Sequence, residues 1–157
     1  MKRIISFLFI IIILVGCTMF EKRFIVGKNI SIEDINEFYY TYSTSTNPAE
    51  YQRYHFYKQD NNYYFFHDYR TGSAFPLSEK YRVRSDRINI DEDKWKQLYS
   101  LLEDGIVTSR KENIESGSSG PWLYLYWKSD KNKYQEFSFK SYEKLKEFEE
   151  FCKSMIN

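Results

Sequence analysis

The sequence predicts an α+β fold: an antiparallel sheet of about six strands with two amphipathic helices on one face, in the order ββββαββα. Three observations predict it. Aromatic residues make up 20% of the chain, with 15 Tyr and 13 Phe, and flat rings favour the pleated surface of a strand. Several segments alternate with period two, the spacing of a half-buried strand. Two others repeat apolar residues at helical spacing behind a capping residue.

The elements follow in order. "INEFYYTYSTS" (35–45) is rich in aromatic and β-branched residues and reads as a first strand. "YQRYHFYK" (51–58) and "YYFFHDYR" (63–70) read as a hairpin, because Asp60, Asn61 and Asn62 between them supply turn chemistry. A three-residue turn sets His55 opposite His67, and a two-residue turn sets Asp68 opposite His55. In "KYRVRSDRI" (80–88), Tyr81 and Val83 share one face and Lys80, Arg82 and Arg84 the other.

Then the period changes. In "DEDKWKQLYSLLEDG", Trp95, Leu98, Tyr99 and Leu102 recur at helical spacing. Asp91 is placed to cap the start, Glu92 and Asp93 suit the positive end of the helix dipole, and Gly105 is expected to stop it. "ENIESGSSGPW" (112–122) carries Ser-Gly turn residues and a helix-blocking Pro, and so reads as a loop.

"WLYLYWK" and "YQEFSFK" form a second hairpin around "SDKNK". In its first strand Leu123, Leu125 and Trp127 share one face, while Trp122, Tyr124 and Tyr126 share the other. The closing helix is expected behind Ser141, with Tyr142, Leu145, Phe148, Phe151, Cys152 and Met155 as its apolar stripe. The aliphatic sides, Val83 and Leu123 with Leu125, are expected to meet the helices.

Composition bounds the function. Hydrophobic residues at 42% and charged residues at 29% mark a folding chain of 157 residues rather than a disordered one. A formal net charge of +1 supplies no global attraction to nucleic acid.

The first residues carry the clearest motif. Lys2 and Arg3 precede an apolar run from Ile4 to Val15, broken only by Ser6. A membrane-spanning helix needs ~20 apolar residues, and this run is too short. A basic start and about a dozen apolar residues are instead the layout of a secretory signal. Leu14-Val15-Gly16-Cys17 resembles the lipobox of bacterial lipoproteins.

That resemblance implies a signal peptide over 1–16, a diacylglycerol on the Cys17 sulfur, and an acylated new amino terminus; two or more chains hold a protein on a bilayer stably. Residues 17–29 are then the lipidated cysteine and a tether, and 30–157 a single domain. Phe24-Ile25-Val26 is an apolar patch on that tether, which could dock in part on the body. The expected place is extracytoplasmic and membrane-anchored, on the outer membrane if the cell has two, since Thr18 is not the aspartate of an inner-membrane retention signal. Cleavage lowers the 23 basic residues to 21 against 22 acidic ones. Cys152 is left without a partner, so no disulfide framework is expected.

The body offers few chemical motifs. His55 and His67 could approach each other, but a metal site needs three or four ligands, and no metal or cofactor is expected. Cys152 falls on an apolar stripe beside Glu149 and Glu150, which disfavours a reactive thiolate. Lys80, Arg82 and Arg84, extended by Arg53 and Arg70, form a basic stripe suited to lipid headgroups or anionic polymers, or to guarding an edge strand. G-x-S-x-G, H-E-x-x-H and P-loop patterns are missing, so catalytic residues are expected to be none.

Trp122, Tyr124 and Tyr126 are the candidate binding residues, with Tyr40, Tyr42, Tyr57 and Tyr63 as possible additions to their face. Tyr and Trp give large, rigid contact area at recognition surfaces. The body is similar to small uncharacterised bacterial lipoproteins with Tyr-rich strands followed by a "DEDKWKQLYSLLED"-type helix, a likeness that implies no active site. The expected role is a non-catalytic binding module for an envelope protein or glycan. The alternatives are an inhibitor or immunity-type lipoprotein that plugs a toxin or hydrolase with its "DEDKWKQ" or "ESGSSGPW" segment, and a hydrolase with a dispersed site.

Overall fold

Asp60 and Asn61 both adopt positive φ, 51° and 63°. That pair of left-handed residues closes a tight two-residue turn, whose twist matches the strands it joins. The structure, a computed structural model, describes residues 21–73, 75–110, 120–128 and 134–156. The Asp60-Asn61 turn joins the two longest strands in them. β1 spans Phe24–Ile25, β2 Ile35–Thr44, β3 Ala49–Gln59, β4 Asn62–Gly72 and β5 Arg82–Ile90. Helix α1 (Glu92–Leu102) leads to β6 (Ile106–Ser109), β7 (Trp122–Trp127), β8 (Tyr134–Ser138) and helix α2 (Tyr142–Ile156). The strands form one antiparallel sheet in the order β1-β6-β8-β7-β2-β3-β4-β5.

The α+β class and the pair of helices agree with expectation, but the described sheet has eight strands rather than six. The two additions are β1 and β6. Phe24 pairs with Val107 and Ile25 with Ile106, and Val26 is fully buried. The Val26 amide donates to Gly105 O at 3.0 Å, and the Asp104 amide to Val26 O at 3.0 Å. The apolar patch expected on a tether is therefore built into the sheet, upstream of the boundary expected at residue 30. Strands of two and four residues are too short to display a period, which is why sequence alone missed them.

The helices obey their caps. Asp91 accepts from the Lys94 amide at 2.7 Å, and Ser141 from the Lys144 amide at 3.3 Å. Helix α1 buries Trp95, Leu98, Leu101 and Leu102, and α2 buries Phe148, Phe151 and Cys152. The end of α1 differs from expectation in mechanism. The residue with positive φ is Asp104, at 60°, not Gly105. A Cβ on Gly105 would overlap the Phe137 ring and come within 2.8 Å of Leu102 O. Glycine is there because two pieces of backbone and a ring approach closely.

The core lies between the helices and one face of the sheet. Phe148 touches rings from two central strands: Phe38 at 5.3 Å and Tyr40 at 5.8 Å on β2, and Phe56 at 6.0 Å on β3. Tyr63 stacks on Trp95 at 4.9 Å. A bulge between Ile35 and Glu37 lets Ile35 and Phe38, three residues apart, share the buried face. Leu125 and Trp127 are buried there too, and Leu123 packs against them.

Two residues expected in the core are outside it. Val83 is 64% exposed, because β5 is the edge strand and its first residues run past a register shift at Tyr69/Arg70. Tyr142 is 65% exposed at the first turn of α2, where Lys146 lies over its ring at 4.8 Å.

Candidate functional site

Period two divides β7 as expected: Leu125 and Trp127 enter the core, and Trp122, Tyr124 and Tyr126 stand on the opposite sheet face. Both helices pack on the core side. The pairing of β7 with β2 then brings residues distant in sequence beside the three. Tyr124 sits opposite Tyr39, Tyr126 opposite Glu37, and Trp122 opposite Thr41. Tyr39, Thr41, Arg53 and Arg110 join them around a trough of about 400 Å³, within the usual range for a small-ligand site.

A row of rings crosses the same face. Tyr39 stacks on His55 at 4.0 Å, His55 on Tyr57 at 4.6 Å, and Tyr57 on Tyr64 at 5.2 Å. The Arg87 guanidinium closes the row, 4.2 Å from the Tyr64 ring centre. Stacking consumes the ring faces along this row, so it stiffens the sheet rather than offering a platform. It ends at Tyr39, which meets Tyr126 edge-on at 5.8 Å and 75°. Beyond that break, Trp122 has no ring partner among the described residues, and Tyr124 meets only the Arg110 guanidinium, at 5.3 Å.

Polar groups hold the trough floor. Tyr39 donates its hydroxyl to Glu37 at 2.6 Å, and His55 Nε2 lies 3.2 Å from the same carboxylate oxygen. Burial, helped by the bond to Glu37, pushes the Tyr39 hydroxyl well above the usual tyrosine range. Arg53 donates Nε to Thr41 Oγ1 at 3.4 Å and stands over the rings of Tyr39 and Tyr51. Its cross-strand neighbour Asp68 turns away to Arg70 and Arg82.

The histidines do not meet. The turn at Asp60-Asn61 sets His55 opposite Phe66 and His67 opposite Tyr54, on opposite faces of the sheet. The same register overturns the expected opposition of Asp68 and His55. Among the described residues no group of three His, Cys, Asp or Glu side chains is placed to hold a metal. His67 is 3% exposed and its ring nitrogens make no hydrogen bond, with Asp86 3.7 Å away.

Burial outweighs Glu37 and holds His55 down at about 4, and it lowers His67 as well. The sign of the pH dependence follows. Above the unfolded value of about 6.5 both states are neutral; below it the unfolded chain binds protons that the folded chain refuses. Stability is expected to fall between about pH 6.5 and about 4, with His55 contributing on the order of 3 kcal/mol. Urea midpoints followed through that window should drop, and His55→Gln should flatten the slope. A wild-type midpoint that holds steady would contradict this.

The basic stripe is largely neutralised. Arg70 and Arg82 both bind Asp68, Arg84 binds Asp86 and the Ile156 carbonyl, and Lys80 lies over the Tyr81 ring at 4.9 Å. Of the tyrosines proposed to join the aromatic face, Tyr57 does, while Tyr40, Tyr42 and Tyr63 pack toward the helices. Cys152 is fully buried, and burial, then Glu149, pushes its thiol up. A second depression, of about 550 Å³, lies between the β3–β4 turn and the start of α1. Its Lys58 already donates to the carbonyls of Ile32 and Glu33 and covers Trp95, so its central charge is spent.

Cys17 and the lipobox, the "ESGSS" part of the loop and the "SDKNK" turn lie outside the described residues. Among the described residues no helix is long and apolar enough to cross a membrane. The chain matches no protein-family model, no curated protein and no solved structure.

Proposed function

We propose that this is a lipid-anchored protein of the cell envelope that binds an envelope glycan or protein without catalysis, through the sheet face opposite its helices. One observation carries the binding part: Trp122, Tyr124 and Tyr126 meet Tyr39, Thr41, Arg53 and Arg110 around one trough. Rings and guanidinium groups are the side chains that give recognition surfaces most of their affinity. The anchor rests on Leu14-Val15-Gly16-Cys17 behind its basic and apolar stretches. The non-catalytic reading rests on the sequence, where motifs for nucleophile, metal or phosphate chemistry are missing.

The test is crosslinking in cells of the full-length chain and of the Trp122→Ala/Tyr124→Ala/Tyr126→Ala variant, with mass spectrometry of what is recovered. The wild-type chain should begin at an acylated Cys17 and carry a partner that the triple variant loses while keeping its circular dichroism. An intact Met1 with an unmodified Cys17 sinks the anchor. The same partner held equally by the triple variant sinks the face.

A further inference from the structure

We propose that the trough takes a carboxylate-bearing saccharide: a sugar ring lies against Trp122 and Tyr124, and Arg53 and Arg110 hold its carboxylate. This rests on the reading of the face as a binding surface and names what binds there.

Three features of the molecule lead to that ligand. The first is charge. Neither Arg53 nor Arg110 forms an ion pair among the described residues, although carboxylates lie close by. Asp68 is committed to Arg70 and Arg82, and Glu37 to Tyr39 and His55. Glu136 sits opposite Tyr124 in the sheet but makes no ion pair with Arg110. Among the described residues, two guanidinium groups beside one small trough therefore carry charge that no carboxylate neutralises, and the guanidinium fork matches a carboxylate's two oxygens.

The second feature is the state of the rings. Trp122 and Tyr124 stand outside the stacked row that runs from Tyr39 to Tyr64. Trp122 has no ring partner among the described residues and Tyr124 carries only the Arg110 guanidinium, and flat aromatic surface outside a ring stack suits the apolar C–H face of a pyranose. The third is the position in the sheet. β7 and β2 pair with each other and are flanked by β8 and β3. Neither is an edge strand, so an extended peptide has no open edge there to join, and a ligand has to be read by side chains. A trough of about 400 Å³ suits a short saccharide.

The probes form a matched pair. N-acetylglucosaminyl-N-acetylmuramic acid carries a lactyl carboxylate, and N,N′-diacetylchitobiose (chitobiose below) has the same two-ring N-acetylated frame without it. Binding to the full-length chain in detergent micelles is read by tryptophan emission and by calorimetry. Trp95 and Trp127 are buried, so Trp122 dominates a ligand-induced change. The acidic disaccharide is expected to bind at least about tenfold more tightly than chitobiose, since hydrogen bonds to a charged group are stronger than those between neutral groups. Arg110→Gln, at an exposed position over the Tyr124 ring, should lose about that factor, and Arg53→Gln likewise. Lys153→Gln, exposed on α2, should bind as the wild type does. Should Arg53→Gln fail to fold, Arg110→Gln carries the test.

Equal affinity for the two disaccharides, or an unchanged affinity in Arg110→Gln, overturns the proposal while leaving a sugar-binding face intact. Binding of triglutamate in preference to the acidic disaccharide overturns the saccharide class. Binding of neither disaccharide overturns the proposal outright. The broader reading of the face fails separately, by the crosslinking result above.

Discussion

Replacing Phe148 with alanine should cost about 3–5 kcal/mol of folding stability. Its ring is fully buried and lies at the meeting point of two strands and a helix. It contacts Phe38, Tyr40, Tyr54, Phe56 and Phe139 at centroid distances of 5.3, 5.8, 6.4, 6.0 and 5.4 Å. Truncation removes the transfer energy of the ring and leaves a hole walled by stiff aromatic side chains. Such walls rotate little to fill it, so the loss should lie toward the upper end. A domain's whole stability is about 5–15 kcal/mol, so the variant should be near its unfolding midpoint in mild urea. Urea titration followed by tryptophan emission measures it. A loss under about 1 kcal/mol would show that the core repacks, contrary to the geometry.

Asp68→Ala should be nearly as damaging, at about 3 kcal/mol. Asp68 is 3% exposed on β4. Arg70 donates Nε to both its oxygens at 3.2 Å, and Arg82 Nε reaches Oδ1 at 3.1 Å. Arg70 also donates Nη1 to Leu77 O at 3.1 Å, which ties the segment before β5 to the sheet. Removing the carboxylate strands Arg70, itself mostly buried, with an unpaired charge, and that desolvation cost exceeds the attraction lost.

Acid should reveal the same group. Burial pushes the Asp68 carboxyl up, but the hydrogen bonds and charges of Arg70 and Arg82 outweigh it and hold it below the ordinary carboxylate range. Its stabilisation is therefore present above the unfolded carboxylate pKa and is lost as pH falls through the lowered folded value. Asp68→Ala should lose that acid limb. Urea is the denaturant to use, because guanidinium salt would screen the pairs being measured. A midpoint at neutral pH equal to wild type would mean that the arginines find other partners.

The accuracy of the sequence reading follows the range of each interaction. Both helices were legible because their signals are local: Asp91 and Ser141 cap the turns that follow them, and the apolar spacing repeats within one element. The long strands were legible from aromatic enrichment. The register of the histidine hairpin was not legible, because one register step turns every side chain over, and the position of the turn depended on which two of Asp60, Asn61 and Asn62 adopt positive φ. Tyr142 and Val83 fit an apolar pattern, yet one lies at the end of a helix and the other on an edge strand, where both stay mostly exposed.

At the trough, the facing of Trp122, Tyr124 and Tyr126 was legible because β7 separates aliphatic from aromatic residues except at Trp127. In "FYYTY" aromatics occupy both parities, so no period could tell Tyr39 from Tyr40. Sequence by itself therefore determined the α+β class, the helices and the aromatic side of β7, since each follows from chemistry within a dozen residues. The tertiary structure alone decided that β7 lies beside β2. That pairing joins segments more than eighty residues apart and brings Tyr39 and Thr41, with Arg53 from the adjoining β3, to the trough, because strand neighbours are chosen by how a whole sheet buries its apolar side.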